Sequence, residues 1–280
     1  MTAANTSPLR STSPSRASGS GPGSLESHLL ERRASGHKLL VPYVMAGAGD
    51  DWIEVLQAIA DAGADAIEVG IPFSDPVMDG PTIQAAGLSA LQRGTTPGSV
   101  IRSLERADVP VPVAVMTYYN IVFRAGERRF ARSLADAGVG GAIVPDLPLE
   151  ECTTWCEEAD RAGVDTVLLV APSTPDDRAR SICERSRGFV YAVGVMGVTG
   201  ERSELAHSAR PVAARLHALT DLPVCIGVGI STPSQAAEAC SEADGVVVGS
   251  ALVRRLLEGC GPEGAASFVS ELRRGVDAAL

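Results

Sequence analysis

Two carboxylates eleven residues apart, Glu68 and Asp79, carry the most informative chemistry in this chain. Glu68 lies in a short apolar run, DAIEV at 65–69, and the loop that follows, Ile71 to Pro81, holds three prolines and two aspartates. If the run is a strand with Ala66 and Glu68 turned inward and Ile67 and Val69 turned outward, an ionisable carboxyl sits among apolar neighbours. Burial disfavours its charged form, which suits a general acid or base. No Arg or Lys ends a neighbouring apolar run, so a structural ion pair lacks a partner. Asp79 is held between turn elements and can bring a second carboxylate over the same place, where two carboxylates in different environments divide acid and base roles. Asp75, before Pro76, is explained by its turn alone.

A second cluster suits an anion. Gly227-Val228-Gly229 and Gly249-Ser250 each close a Val-rich run, and the second directly precedes a helical stretch. Glycines let backbone N–H groups approach a phosphate, and a helix N-terminus adds its dipole. The segment from Gly194 to Gly200 has three glycines and no proline, as a mobile lid requires. Tyr118, Asn120, Asp146 and Tyr191 fall near the ends of other apolar runs, where they can line the same rim.

Positioning these groups requires a regular scaffold. Eight Val- and Ile-rich runs, at 39–45, 65–69, 111–116, 141–144, 164–170, 188–193, 222–227 and 244–248, alternate with helical stretches. They show little polar alternation, as strands covered on both faces demand. The helical pattern is clear at 52–62, with Ile53, Leu56, Ile59 and Ala60 on one face, and at 127–137, with Phe130, Leu134 and Ala137. The pairs Ala62-Gly63, Ala137-Gly138 and Ala162-Gly163 read as left-handed helix ends. Eight such units predict a single (β/α)8 TIM barrel over 25–280, whose active site lies at the C-terminal ends of the strands and whose phosphate site follows strands 7 and 8. The alternative, an open doubly wound sheet, wants a Gly-rich turn that Ala46-Gly47-Ala48-Gly49 matches poorly. Residues 1–24 are Ser-, Pro- and Gly-rich, with no acidic residue, and read as a disordered tail rather than a transit peptide.

Composition narrows the function classes. A chain of 280 residues, 45% hydrophobic and 21% charged, can bury a sizeable core. No apolar run approaches the roughly 20 residues of a membrane span, and a net charge of −10 opposes binding to nucleic acid. The six cysteines form no CxxC pair and lie away from the four histidines, so no metal site is expected. They read as reduced thiols of a cytoplasmic protein.

The segment EVGIPFSDPVMDGPTIQ at 68–84 resembles the hallmark of the tryptophan synthase α subunit family. MTYYN at 116–120, PDLPLEE at 145–151, MGVTG at 196–200, GVGIS at 227–231 and VGSALV at 248–253 extend the resemblance from about residue 28 to the C-terminus. The resemblance implies a lyase that cleaves indole-3-glycerol phosphate to indole and glyceraldehyde 3-phosphate with no metal or organic cofactor. It implies Glu68 and Asp79 as the catalytic carboxylates, and Gly200, Gly229, Gly249 and Ser250 as the phosphate site. Thr199 would belong to the lid over Asp79, Tyr118 and Tyr191 would lie at the substrate, and Asp146 would communicate with a β subunit in an αββα complex. Two other readings remain open: a stand-alone lyase of a specialised pathway, and a non-catalytic barrel that activates a β partner.

Overall fold

The computed structural model describes residues 25–194, 211–227 and 229–279. Eight parallel strands close into a barrel in which each pairs with the next and the last with the first. They are β1 (Leu39–Met45), β2 (Ile67–Gly70), β3 (Val113–Met116), β4 (Gly141–Ile143), β5 (Asp165–Val170), β6 (Val190–Ala192), β7 (Val224–Ile226) and β8 (Gly245–Val248). The closed barrel rules out the open sheet. Several strands start later than the apolar runs that announce them, and two do so at a proline. Pro112 and Pro223 lack an N–H but still accept, from Ile67 and Val190 respectively, so β3 and β7 begin just after them.

The helices are α1 (Leu25–Ala34), α2 (Trp52–Asp61), α3 (Pro81–Gln92), α4 (Pro97–Arg106), α5 (Tyr119–Ala125), α6 (Glu127–Asp136), α7 (Thr153–Ala162), α8 (Asp176–Arg185), helical residues 211–217 (α9), α10 (Pro233–Cys240), α11 (Ser250–Leu257) and α12 (Gly261–Asp277). Gly63, Gly138 and Gly163 all have positive φ, as the helix-end reading requires. On α2 the buried face is Val55, Leu56, Ile59 and Ala60, with Ile53 only half-buried. Ala137 lies one residue past the end of α6 and is likewise half-buried.

Side-chain alternation divides the interior in two. Leu40, Val44, Ile67, Val69, Val113 and Val115 face the helices. Leu39, Val41, Ala66, Ala114, Ile143 and Val167 fill the lumen with Phe189, Tyr191, Cys225 and Val247. The barrel is thus a packed core, open to capping at the N-terminal end of its strands.

That end is stopped by α1, which starts where the tail is expected to end but is not foreseen as a helix, because LESHLLERRA shows little amphipathic contrast. Leu25 and Leu29 enter the lumen core and are fully buried. Charged groups pin the helix around them. Arg32 Nε donates to Asp65 at 2.7 Å, Arg33 Nη1 pairs with Asp244 at 3.3 Å, and the Glu26 N–H donates to Asp165 at 2.8 Å. Asp65 also accepts from Arg273 and from the Leu40 N–H, so its buried charge is fully compensated. Leu29→Ala is expected to cost about 2–5 kcal/mol, the range for a buried Leu truncation. The drop should appear in denaturant unfolding, with turnover per folded molecule unchanged because the plug lies at the opposite end from Glu68.

Candidate active site

Glu68 is on the inward row of β2, between Ala66 and Gly70, and is only 1% exposed. Among the described residues, neither of its carboxylate oxygens has a hydrogen-bond partner. Burial, reinforced by the charge of Asp79, pushes its pKa up to about 8. A protonated acid at neutral pH is therefore stored at the top of an apolar lumen.

The loop between β2 and α3 returns Asp79 to the same place. Its turn is closed by N–H donation from Val77 to Asp75 at 2.9 Å and from Asp79 to Pro76 at 3.2 Å. The exposed Asp75 accepts from the Ser74 hydroxyl at 2.6 Å, which is the local turn role expected of it. The loop is tied down by Tyr118, at the N-terminus of α5. The Tyr118 hydroxyl accepts from the Met78 N–H at 2.9 Å and is hydrogen-bonded to the Asp79 carboxylate. Phe73 stacks on the Tyr118 ring at 5.1 Å. Burial raises the Asp79 pKa, while the Tyr118 hydrogen bond opposes the rise. The two carboxylates thus occupy different environments: one fully buried with no partner among the described residues, the other half-buried and hydrogen-bonded.

Tyr191 stands on the inward row of β6, and its phenol pKa is raised by burial and then by the charge of Glu68. Its ring occupies the space a side chain at Gly227 would need, so glycine at the end of β7 is a packing requirement. Gly229 follows with φ of +56°, and Gly249 directly precedes Ser250, the first residue of α11. A cleft of about 170 Å³ joins Glu68 and Asp79 to Gly229, Gly249 and Ser250. Those same three residues also line a second cleft walled by Ser231, Arg254 and Arg255, with no acidic residue among the described residues of its lining. In a chain of net charge −10, that end favours an anion.

Asp146, beyond β4, is exposed, and its Oδ1 accepts from the Tyr119 N–H at 2.9 Å. It caps the start of α5 at the rim, close enough for its charge to raise the Tyr118 pKa, yet outside the cleft lining. Thr199, Gly200 and most of the expected lid lie outside the described residues. Among the described residues, no group of three His, Cys, Asp or Glu side chains is placed to hold a metal.

Sequence reading missed several lining residues, including Tyr43, Ile83, Met116 and Val247. Of these, Tyr43 was within reach. The alternation Leu39, Val41, Tyr43, Met45 places it inward, and its register partner on β2 is Glu68.

Comparison with known proteins agrees with this geometry. Residues 29–276 match the sequence pattern of the family described as tryptophan synthase alpha chain. A tryptophan synthase alpha chain of Streptomyces avermitilis is 44% identical over 260 residues, covering 90% of this chain and 94% of the relative. One from Thermobifida fusca is 45% identical, covering 91% and 98%. Among solved structures, a Mycobacterium tuberculosis tryptophan synthase chain superposes with a TM-score of 0.83 at 40% identity, covering 90% and 97%. The alpha chain from Legionella pneumophila gives 0.80 at 30%, covering 91% and 98%.

Proposed function

The chain belongs to the tryptophan synthase alpha chain family, and on that premise we propose how its residues divide the cleavage of indole-3-glycerol phosphate. The reaction is a retro-aldol lyase step that releases indole and glyceraldehyde 3-phosphate. The observation that carries the assignment is the pair of unlike carboxylates over one cleft: Glu68, buried without a partner among the described residues, and Asp79, held by Tyr118.

Glu68 enters the cycle protonated and donates its proton to indole C3, giving the cationic indolenine. Asp79, ionised, accepts from the ring N–H and balances the positive charge that develops there. The Glu68 carboxylate then takes the proton from the hydroxyl on the adjoining glycerol carbon. As the C–C bond breaks, its electron pair returns to the ring, indole departs, the carbon becomes the aldehyde, and Glu68 is again protonated. The net proton balance is zero, so one side chain serves as acid and base in turn. The phosphate would sit at Gly229, Gly249 and the N-terminus of α11, where Ser250 supplies backbone and hydroxyl donors. Tyr191 walls the cleft opposite Glu68, and Thr199 and Gly200 are assigned to closure and phosphate binding by the resemblance alone.

A β subunit, in an αββα assembly, would dock on the rim that carries these loops. Val77 is 81% exposed and Phe123 67%, with Met78 also exposed. These three apolar side chains lie on the β2–α3 loop and on α5, beside Asp146, where a partner would cover them and order the loop bearing Asp79.

The deciding experiment is indole formation from indole-3-glycerol phosphate by the purified chain, with and without cognate β subunit. Turnover that rises on β addition supports this reading. Full turnover with no response to β would support a stand-alone lyase, and none under either condition a non-catalytic activator. Tyr118→Phe tests the division of roles. Loss of its hydrogen bond removes a force that lowers the Asp79 pKa, so the acid limb of the kcat/KM profile should move to higher pH. Activity at the optimum should fall about tenfold, as for one lost hydrogen bond to a charged group.

A further inference from the structure

The phenol of Tyr43 has no part in the cleavage just described, yet it lies in the middle of the cleft. It is inward on β1, directly in register with Glu68 on β2. β1 also pairs with β8, so Tyr43 stands between the strand bearing Glu68 and the strand that Gly249 follows. Its side chain spans that interval. A Cβ at Gly249 would lie 3.7 Å from Tyr43 Cβ and 3.9–4.0 Å from the near ring atoms, while the hydroxyl fills the space left by the missing side chain of Gly70. Gly70 is two residues above Glu68 on the same inward row, so the hydroxyl sits beside the acid and the ring leads from it towards the phosphate end.

That hydroxyl is buried and poorly served. Among the described residues its sole hydrogen-bond contact is the Met45 thioether at 4.0 Å, a weak acceptor. Burial, followed by the charges of Asp79 and Glu68, raises its pKa well above the usual phenol value, so it stays a donor at any working pH. Among the described residues, a buried donor without a proper acceptor therefore faces the same cleft as the Glu68 carboxyl, whose oxygens have no hydrogen-bond partner there. A hydroxylated ligand laid between them satisfies both.

We infer that Tyr43 contacts substrate directly, donating its phenolic hydrogen to the hydroxyl on the middle carbon of the glycerol chain. This rests on the lyase reading above. With the reacting carbon at Glu68 and the phosphate at Gly249 and Ser250, the stretch between them crosses Tyr43, and of its two carbons only the middle one carries a hydroxyl. Glu68 engages the hydroxyl on the reacting carbon, which leaves the neighbouring one to the phenol. Tyr43 is then a specificity residue: it makes the enzyme select a substrate that carries this hydroxyl over one that lacks it.

The test compares wild type and Tyr43→Phe, each saturated with β subunit, on indole-3-glycerol phosphate and on its analogue with hydrogen in place of the middle hydroxyl. The analogue keeps the reacting hydroxyl and the phosphate, so it can still be cleaved, to indole and 3-phosphooxypropanal. Wild type should prefer the natural substrate by about tenfold or more in kcat/KM, and the variant should lose a similar factor on it. The variant should then cleave the two compounds within about twofold of each other, because the contact that distinguishes them is gone. A preference retained in full by Tyr43→Phe would overturn the assignment, as would a wild type indifferent to the hydroxyl. Each preference is a ratio measured on one protein sample, so any loss of folded protein cancels from it. Failure of the lyase reading itself would show separately, as absence of wild-type turnover on the natural substrate.

Discussion

Glu68→Gln should fold and lose indole formation by at least about 100-fold, the lower range for a positioned acid–base group. The amide keeps the shape of the side chain but can neither give a proton to indole C3 nor take one from the glycerol hydroxyl. Stability should move the other way. With its pKa pushed up to about 8 in the folded state from an ordinary 4.5, wild-type Glu68 keeps its proton while the unfolded chain has already released it. Across that window the folded state binds more protons than the unfolded one, so stability falls as pH rises from about 4.5 to about 8 and then levels off. Glutamine lacks this slope. The variant should therefore melt higher than wild type at pH 8, on the order of a few kcal/mol more stable, and the gap should close near pH 4.5. Thermal melts of both proteins over pH 4.5–8.5, beside steady-state indole release, read both effects. A less stable or fully active variant would remove Glu68 from the mechanism.

Asp79→Asn should be impaired by about 100- to 1,000-fold, the usual loss when one electrostatic stabiliser is removed. An amide can still accept from the indole N–H through its oxygen, but it carries no charge to balance the cation. The substitution also acts on Glu68. The Asp79 charge is the second cause of the raised Glu68 pKa, and without it the ionised form of Glu68 is less disfavoured. The basic limb of the residual kcat/KM profile should therefore move to lower pH, although burial alone still holds the pKa above the ordinary value. An unchanged basic limb would separate the two carboxylates, and wild-type turnover would dismiss the paired mechanism.

Most of the architecture was legible because a doubly covered strand is apolar on both faces and leaves a short Val- and Ile-rich run in the sequence. The boundaries drifted where proline could accept a hydrogen bond but not donate one, at Pro112 and Pro223. Glu68 stood out as an acid in an apolar run, and Asp79 as the partner its loop could return. Tyr43 did not, since a tyrosine within LLVPYVM reads as ordinary core: alternation could have turned it inward, but the pairing of β1 with β2 is what sets it beside Glu68. The plug helix escaped for a different reason. Its meaning rests on Asp65, Asp165 and Asp244, which meet only when the barrel is closed. No local pattern records that meeting.

The plug also constrains the order in which the molecule can be assembled. α1 is synthesised before every strand, but its anchors lie far along the chain: Asp165 is 139 positions from Glu26, and Asp244 is 211 from Arg33. Until the ribosome has released β8, Leu25 and Leu29 have no finished lumen to enter and Arg33 has no counter-charge. This helix, made before every strand, is thus among the last elements to be seated, and its docking reports that the eighth strand has met the first. Contacts of such long range make closure slow relative to local helix formation. During that interval the unpaired edges of β1 and β8 are the surfaces most open to misassociation.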